Sequence, residues 1–268
     1  MRDKIVLAAA IFVTTMIAFA VFAPFIATSD PSKIDVTNIL ASPSGSHIFG
    51  TDTLGRDIFS RVVYGSRISL VIGFVAVGIS VAIGVLLGSI AGYYGRKTDY
   101  CLMRFVDMML CFPTLFLILA VVAVLEPSIW NIMVVIGATS WMGVARLVRA
   151  EILTLKQRDY VAAARVMGAS DAWIILKHLV PNAIGPVIVS ATLGVGGAIL
   201  LESSLSFLGI GVQPPTPSWG NILMDGRSTL GVAWWLTVYP GIFITLTVLS
   251  YNILGERLRD YFEPKLKR

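Results

Sequence analysis

Six long apolar runs, separated by short polar connections, decide most of what this chain can become. They cover residues 5–26, 69–93, 102–125, 129–149, 183–208 and 236–254, give or take a few positions at each end. A spanning helix needs about 20 apolar residues to cross roughly 30 Å of hydrocarbon, and each run is of that order. Only 14% of the 268 residues are charged, while 56% are hydrophobic. A soluble domain of average make-up carries about a quarter charged residues, so too little charge remains here to cover a water-facing surface. The runs predict an all-α polytopic membrane protein with six transmembrane helices.

The first run follows Met1-Arg2-Asp3-Lys4 and extends from Ile5 to Ile26. It exceeds the usual apolar core of a signal peptide, about 7–15 residues, so residues 1–26 are expected to be a retained membrane helix. With the N-terminus in the cytoplasm and six alternating spans, sixteen of the 21 Lys and Arg fall inside. Lys33, Arg56, Arg61, Arg67 and Arg227 are left outside. This asymmetry places both termini in the cytoplasm. The basic residues thus serve topology, and the net charge of +5 does not predict nucleic-acid binding.

Catalytic and cofactor chemistry lack candidates. Cys101 and Cys111 lie ten residues apart in or beside one run, which suits apolar packing and excludes a disulfide between them on one helix. His47 and His178 have no ligand cluster nearby, so no metal site is expected. No phosphate-cradling G-x-x-x-x-G-K-[ST] loop and no Gly-Lys pair occurs. No Ser/His/Asp or paired-carboxylate set stands out for enzymatic chemistry.

Two outer segments are long enough to fold. Residues 27–68 begin turn-rich and become helical at "RDIFSRVVYGSRISL", where Ile58, Phe59, Val62 and Val63 share a face opposite Arg56, Ser60 and Arg67. Residues 209–235 contain "GVQPPTPSWGN", too proline-rich for helix. Within the second run Gly84, Gly88 and Gly92 form a small-residue stripe that invites close approach of another helix. Asp107 is expected to pair with Arg104 one turn away. Glu202 lies inside the fifth run, where a charge must face protein or water. It either lines a path, acts as a gate, or joins two spans; if the span ends early, it sits near the outer surface.

The longest inner connection reads "RDYVAAARVMGASDAWIILKHLVPN" (158–182). Ala162, Ala163 and Ala164 favour a short helix, and Gly168 supplies a positive-φ stop. Ser170 or Asp171 then caps a second helix, and Pro181 suits the first turn of the next span. A knuckle results, with little side-chain bulk at its bend. It fits a groove on a partner or forms an ordinary surface loop.

The stretch resembles the cytoplasmic E-A-A-x3-G-x9-I-x-L-P motif of ABC importer permeases: Ala163, Ala164, Gly168 and Pro181 match, while Ala162, His178 and Val180 replace its Glu, Ile and Leu. "FGTDTLGRDIFSRVVYGSRISL" (49–70) and "SLSFLGIGVQPPTPSWGN" (204–221) resemble the C-type subunit of the dipeptide, oligopeptide and nickel branch. The resemblance implies a type I ABC importer fold in the cytoplasmic (inner) membrane. Its parts would be the helix of 1–26, an extracytoplasmic segment over 27–68, and a permease core over 69–268 with coupling helices at 156–182.

It further implies a second homologous permease subunit, two ATPase subunits that carry the ATP and magnesium, an extracytoplasmic solute-binding protein, and a membrane lipid surround. Tyr160, Ala163, Ala164, Arg165, Gly168, Ala169 and Ser170 would contact an ATPase subunit. Asp52, Arg56 and Asp57 would meet the binding protein or shape the mouth of the path, unless Arg56 and Asp57 only supply helix-start electrostatics. Peptides are the implied solute, with nickel chelates or glutathione as alternatives. An ion-coupled carrier would need buried ionisable relays or an inverted repeat, and the sequence shows neither.

Overall fold

The computed structural model describes residues 2–126 and 128–262; Met1, Pro127, and Lys265, Lys267 and Arg268 of the inward basic set lie outside them. The described residues are helical apart from loops and one isolated bridge between Thr51 and Asp57. In order they form α1 (Arg2–Val21), α2 (Ala23–Ile26), α3 (Ile58–Tyr94), α4 (Arg96–Leu110), α5 (Thr114–Val122), α6 (Ile129–Ala138) and α7 (Met142–Leu155). Then follow α8 (Asp159–Val166), α9 (Asp171–Ile174), a π-helical turn (Ile175–Leu179), α10 (Val180–Asn182), α11 (Ile184–Phe207), α12 (Trp219–Gly226) and α13 (Trp235–Phe262).

Four helices, α1, α3, α11 and α13, are each long and apolar enough to cross a membrane, and the bent pairs α4–α5 and α6–α7 raise the number to six. The expected third span is the one that changes most. Its two halves meet at 82°. Pro113 is the physical reason: it donates no N–H and disfavours helix at Phe112 before it. Cys101 and Cys111, expected to be packed away, are free and exposed. The fourth span bends by 41° around Thr139–Trp141, where the Thr139 and Ser140 hydroxyls bond back to the carbonyls of Val135 and Ile136.

The expected boundary between an outer amphipathic helix and the second span is absent. α3 runs 37 residues without a break, from an Asp57 N-cap whose carboxylate accepts the Ser60 N–H to Gly95 at φ +63°. At 1.5 Å per residue this is about 55 Å of helix, so α3 reaches well outside the hydrocarbon. It is the centre of the molecule. α1, α6, α7 and α11 all pack on it, and α13 closes the far side against α1, α11 and α12.

The glycine stripe is the seam with α7. A Cβ at Gly84 would lie 2.6 Å from the Val144 Cβ, one at Gly88 2.5 Å from the Ala145 carbonyl oxygen, and one at Gly92 2.8 Å from the Ile152 Cβ. Each position therefore admits only hydrogen. Asp107 is held by Arg146 of α7, and its expected partner Arg104 stands off at 4.0 Å. Overpacking a close seam costs about 1–3 kcal/mol. Gly88→Val is thus expected to lower the thermal unfolding midpoint in detergent, whereas Gly78→Val on the same helix, with nothing within 4 Å of its Cβ position, is expected to leave it near wild type.

Candidate functional site

The inner connection folds as a braced knuckle. α8 carries Asp159 in its first turn and Arg165 in its last, both favourable to the helix dipole. Gly168, at φ +83°, ends it: the Gly168 N–H bonds the Arg165 carbonyl at 3.1 Å and the Ala169 N–H bonds the Ala164 carbonyl at 3.1 Å. That pair of bonds is a Schellman closure, which needs a left-handed residue at this place. Ser170 then caps α9, its side chain accepting the Trp173 N–H.

The underside of the knuckle is apolar and enclosed. Val161, Ala164, Ile174 and Leu179 are buried with Tyr93 of α3 and Val148 and Ile152 of α7. A polar brace sits beside them: the Tyr93 hydroxyl donates to Asp171 at 2.5 Å and accepts from Arg165 at 3.3 Å. The Lys156 ammonium also caps the end of α3 by donating to the Gly92 carbonyl at 2.7 Å. His178 sits between Tyr160 and Trp173, with ring centroids 5.8 and 4.7 Å away.

The opposite side is apolar and open. Val166 is 89% exposed and Met167 80%. Tyr160, Trp173 and Leu176 are exposed as well. Of the residues singled out from sequence, Tyr160, Ala163, Arg165, Gly168 and Ser170 lie on exposed positions and Ala169 is half-buried. Ala164 is a correction: at 2% exposure it faces α3 and α7, because it stands one turn from Val161 on the inner side of α8. Val166 and Met167, the most prominent tip residues, escaped the sequence reading, since an exposed apolar pair has no periodic signature.

At the outer end, Asp52, Arg56 and Asp57 are 0%, 6% and 3% exposed and turn inward, not towards a partner. Asp52 accepts from the backbone N–H groups of Leu54 and Arg56 at 2.8 and 2.9 Å, from Arg56 Nε at 2.6 Å, and from Arg61. Asp225 of α12 accepts from Arg56 at 3.2 Å and Arg61 at 2.8 Å. Asp57 caps α3 and also takes a 3.0 Å bond from the Thr28 hydroxyl, beside His47 Nδ1 at 3.0 Å. Arg61 and Asp225 were missed. The i,i+4 spacing of Asp52 and Arg56 was visible, but Arg61 pairs with Asp52 nine residues away, and Asp225 lies 164 residues beyond Arg61 and gave no signal.

Glu202 is fully enclosed by this chain's own serines. It accepts from Ser206 at 2.7 Å and Ser218 at 2.9 Å, with Ser69 of α3 at 3.5 Å. Ser218 is also the N-cap of α12 in a capping box with Asn221. Of the readings open for Glu202, the geometry joins elements: α11, α3 and the start of α12 meet on one carboxylate. The loop of 208–218 wraps this point so closely that a Cβ at Gly211 would lie 2.0 Å from the Ser206 Oγ. α12 is therefore tied at its start through Glu202 and near its end through Asp225. Between the two ties Trp219 is wholly buried, its indole donating to the Val62 carbonyl at 3.0 Å.

Residues 84–268, more than two thirds of the chain, match the family described as binding-protein-dependent transport system inner membrane component. The chain belongs to that family. Residues 1–43 match the N-terminal TM domain of oligopeptide transport permease C. The permease is 42% identical over 266 residues to the dipeptide transport system permease protein DppC of Alkalihalophilus pseudofirmus, covering 99% of this chain and 88% of that one. It is 45% identical over 267 residues to the glutathione transport system permease protein GsiD of Escherichia coli, covering 99% and 88%. Among solved structures, the MetNI methionine ABC transporter in inward-facing conformations aligns with a TM-score of 0.60 at 19% identity, over 75% of this chain and 96% of that one. The fold is that of a type I ABC importer permease, and the chain is a multi-pass inner-membrane permease subunit of an ABC importer.

A buried hydroxyl deprived of its acceptor costs about 1–3 kcal/mol. Glu202→Ala orphans the hydroxyls of Ser206 and Ser218 at once, so the purified permease is expected to unfold at a clearly lower temperature, with Glu202→Gln recovering most of the loss. Asp225→Asn removes one of two carboxylates facing Arg56 and Arg61. Breaking a fully buried pair costs about 3–5 kcal/mol; Asp225 is 25% exposed, so a smaller loss is expected, read by thermal unfolding.

Proposed function

We propose that this permease forms one membrane half of an ATP-driven importer of dipeptides and oligopeptides. A second, homologous permease would supply the other half. Two separate ATPase subunits would bind and hydrolyse ATP with magnesium beneath the membrane, and an extracytoplasmic solute-binding protein would deliver the peptide from above. The chain itself contributes no reaction chemistry in this reading. Peptides are favoured by the likeness to dipeptide and oligopeptide permeases. The GsiD likeness keeps glutathione, itself a small peptide, as the second reading.

The observation that carries the proposal is the knuckle: an exposed apolar tip on an underside fixed to α3 and α7 and continuous with α11. An ATPase groove that closes over Tyr160–Ser170 would displace the ends of three spanning helices together. Nucleotide can bias two conformations only by binding them differently, so the groove must grip the tip differently in the two states. Ala163, Gly168 and Ser170 shape the bend, while Val166 and Met167 are the contacts we add.

Interface hot spots lose about 2 kcal/mol or more on truncation, roughly thirtyfold in affinity. Met167→Asp is expected to cut uptake of a radiolabelled dipeptide at least tenfold, with unchanged amounts of permease in the membrane and continued ATP hydrolysis by the ATPase subunits. Gly168→Val meets open space but a backbone forced to φ +83°, and is expected to act in the same direction. Full uptake in both variants would remove the support for docking at this tip. Competition of the labelled dipeptide by unlabelled tripeptide, glutathione and a nickel chelate, in cells carrying the cognate binding protein, decides the solute.

A further inference from the structure

α3, the bent α6–α7 span and α11 line a cleft of about 200 Å³. α7 and α11 each pack along α3 but touch each other only lightly, which leaves a gap between them. None of the residues lining it is charged, and several are small. Ser190, Ala191, Gly194 and Gly197 come from α11, Ser80 from α3, and Ser140 from the bend between α6 and α7. Ser80 stands one turn from Gly84, the first glycine of the α3–α7 seam.

Two of the hydroxyls are unusual. A serine or threonine in a membrane helix can bond back to the carbonyl one turn before it, as Thr14, Thr15, Thr192 and Ser204 do on exposed faces of this chain. Ser140 does the same, to the Ile136 carbonyl at 2.7 Å. Ser80 and Ser190 do not. Among the described residues neither hydroxyl has a hydrogen-bond partner, although Ser80 is only 5% exposed and lines the cleft. A buried hydroxyl left unpaired is costly, so the cleft suits an occupant that can both donate and accept. The break in the α6–α7 span points the same way. Irregular backbone within a membrane protein is tolerated where it is packed in protein or lines a wet cavity, and Ser140 at this break lines the cleft.

Acyl chains offer no hydrogen bonds, and a helix of another subunit has its backbone groups bonded internally. An extended peptide instead carries free amide N–H and carbonyl groups, and a serine hydroxyl can accept from the one and donate to the other. Position supplies a second argument. The knuckle connects α7 to α11, the two sides of the gap, so its displacement would change the width of the cleft. We propose that this cleft is the chain's share of the passage for the imported peptide, with Ser80 and Ser190 bonding the peptide backbone and Ala191 and Gly197 leaving room for its side chains. The proposal rests on the import reading and adds to it the residues that touch the solute and limit its bulk. With no charge on its walls, the cleft would pass acidic, basic and neutral side chains alike.

The test uses the assembled transporter in proteoliposomes, with its ATPase subunits and its cognate binding protein. Ser80→Ala together with Ser190→Ala removes two hydrogen bonds to the solute and is expected to lower dipeptide uptake roughly tenfold. The thermal unfolding midpoint is expected to stay at the wild-type value, because neither hydroxyl bonds this chain. Gly197→Leu meets nothing within 4 Å of its Cβ position and is expected to reduce tetrapeptide uptake at least about tenfold more than dipeptide uptake. Gly78→Leu, equally open but outside the cleft lining, is expected to keep the wild-type ratio. Ser190→Cys, combined with Cys101→Ser and Cys111→Ser to remove the two exposed thiols, is expected to react with a water-soluble thiol reagent and to be shielded by dipeptide. Wild-type dipeptide uptake by the serine pair, an equal loss for all peptide lengths in Gly197→Leu, or a crosslink from Ser190→Cys to the second permease in place of labelling would overturn the proposal. A wild-type transporter that moves no peptide would instead remove the import reading and the solute named here, while the thiol reaction would still decide whether the cleft is a passage.

Discussion

In hydrocarbon one apolar helix gains little by exchanging lipid for another apolar helix, so close contact of backbones must hold a membrane bundle together. Here that contact is the glycine seam of α3 against α7. Everything else is arranged along the same helix. Asp57 caps its outer end, Arg61 joins the outer charge cluster, and Ser69 meets Glu202. Further in come the three seam glycines, and Tyr93 near the inner end braces the knuckle. One uninterrupted helix thus connects a structure outside the membrane to one inside it.

Such a rod changes how force would pass through the molecule. α12 is tied at both ends to the outer part of α3 and α11, and the knuckle is tied to the inner part of α3, α7 and α11. Neither attachment relies on one flexible side chain. Displacement at the inner tip would therefore be delivered to the outer loops as a tilt rather than absorbed between them. The residues that do this are mostly unremarkable in type: glycines, serines and a tyrosine, effective through position.

The spans were legible because bilayer thickness sets a length and lipid sets a composition, and both can be read from the chain alone. The glycine stripe and the helix–Gly–helix knuckle were legible for a similar reason, since each depends on local backbone chemistry. What failed was anything needing a distant partner. Of the readings open for Asp52, Arg56 and Asp57, the helix-start role holds for Asp57, which caps α3; the burial of Asp52 and Arg56 beside Arg61 and Asp225 had no local signal. Asp107 was given Arg104, its neighbour in sequence, although Arg146 is nearer in space. The break in the third run was hidden by hydropathy, which scores Cys111 and Phe112 as apolar and takes no account of what Pro113 does to the backbone. Ala164 was readable after all: its spacing from Val161 put it on the inner face of α8.

The bare tip of the knuckle has a consequence beyond coupling. Val166 and Met167 keep most of their apolar surface in water while nothing covers them, and exposed apolar surface of this kind invites adhesion to other proteins. A copy of the permease made in excess of its companions would be conspicuous to cellular quality control at this one spot. Complete assembly would hide it, so the same two side chains would help to match the number of subunits that survive to the number that have found each other.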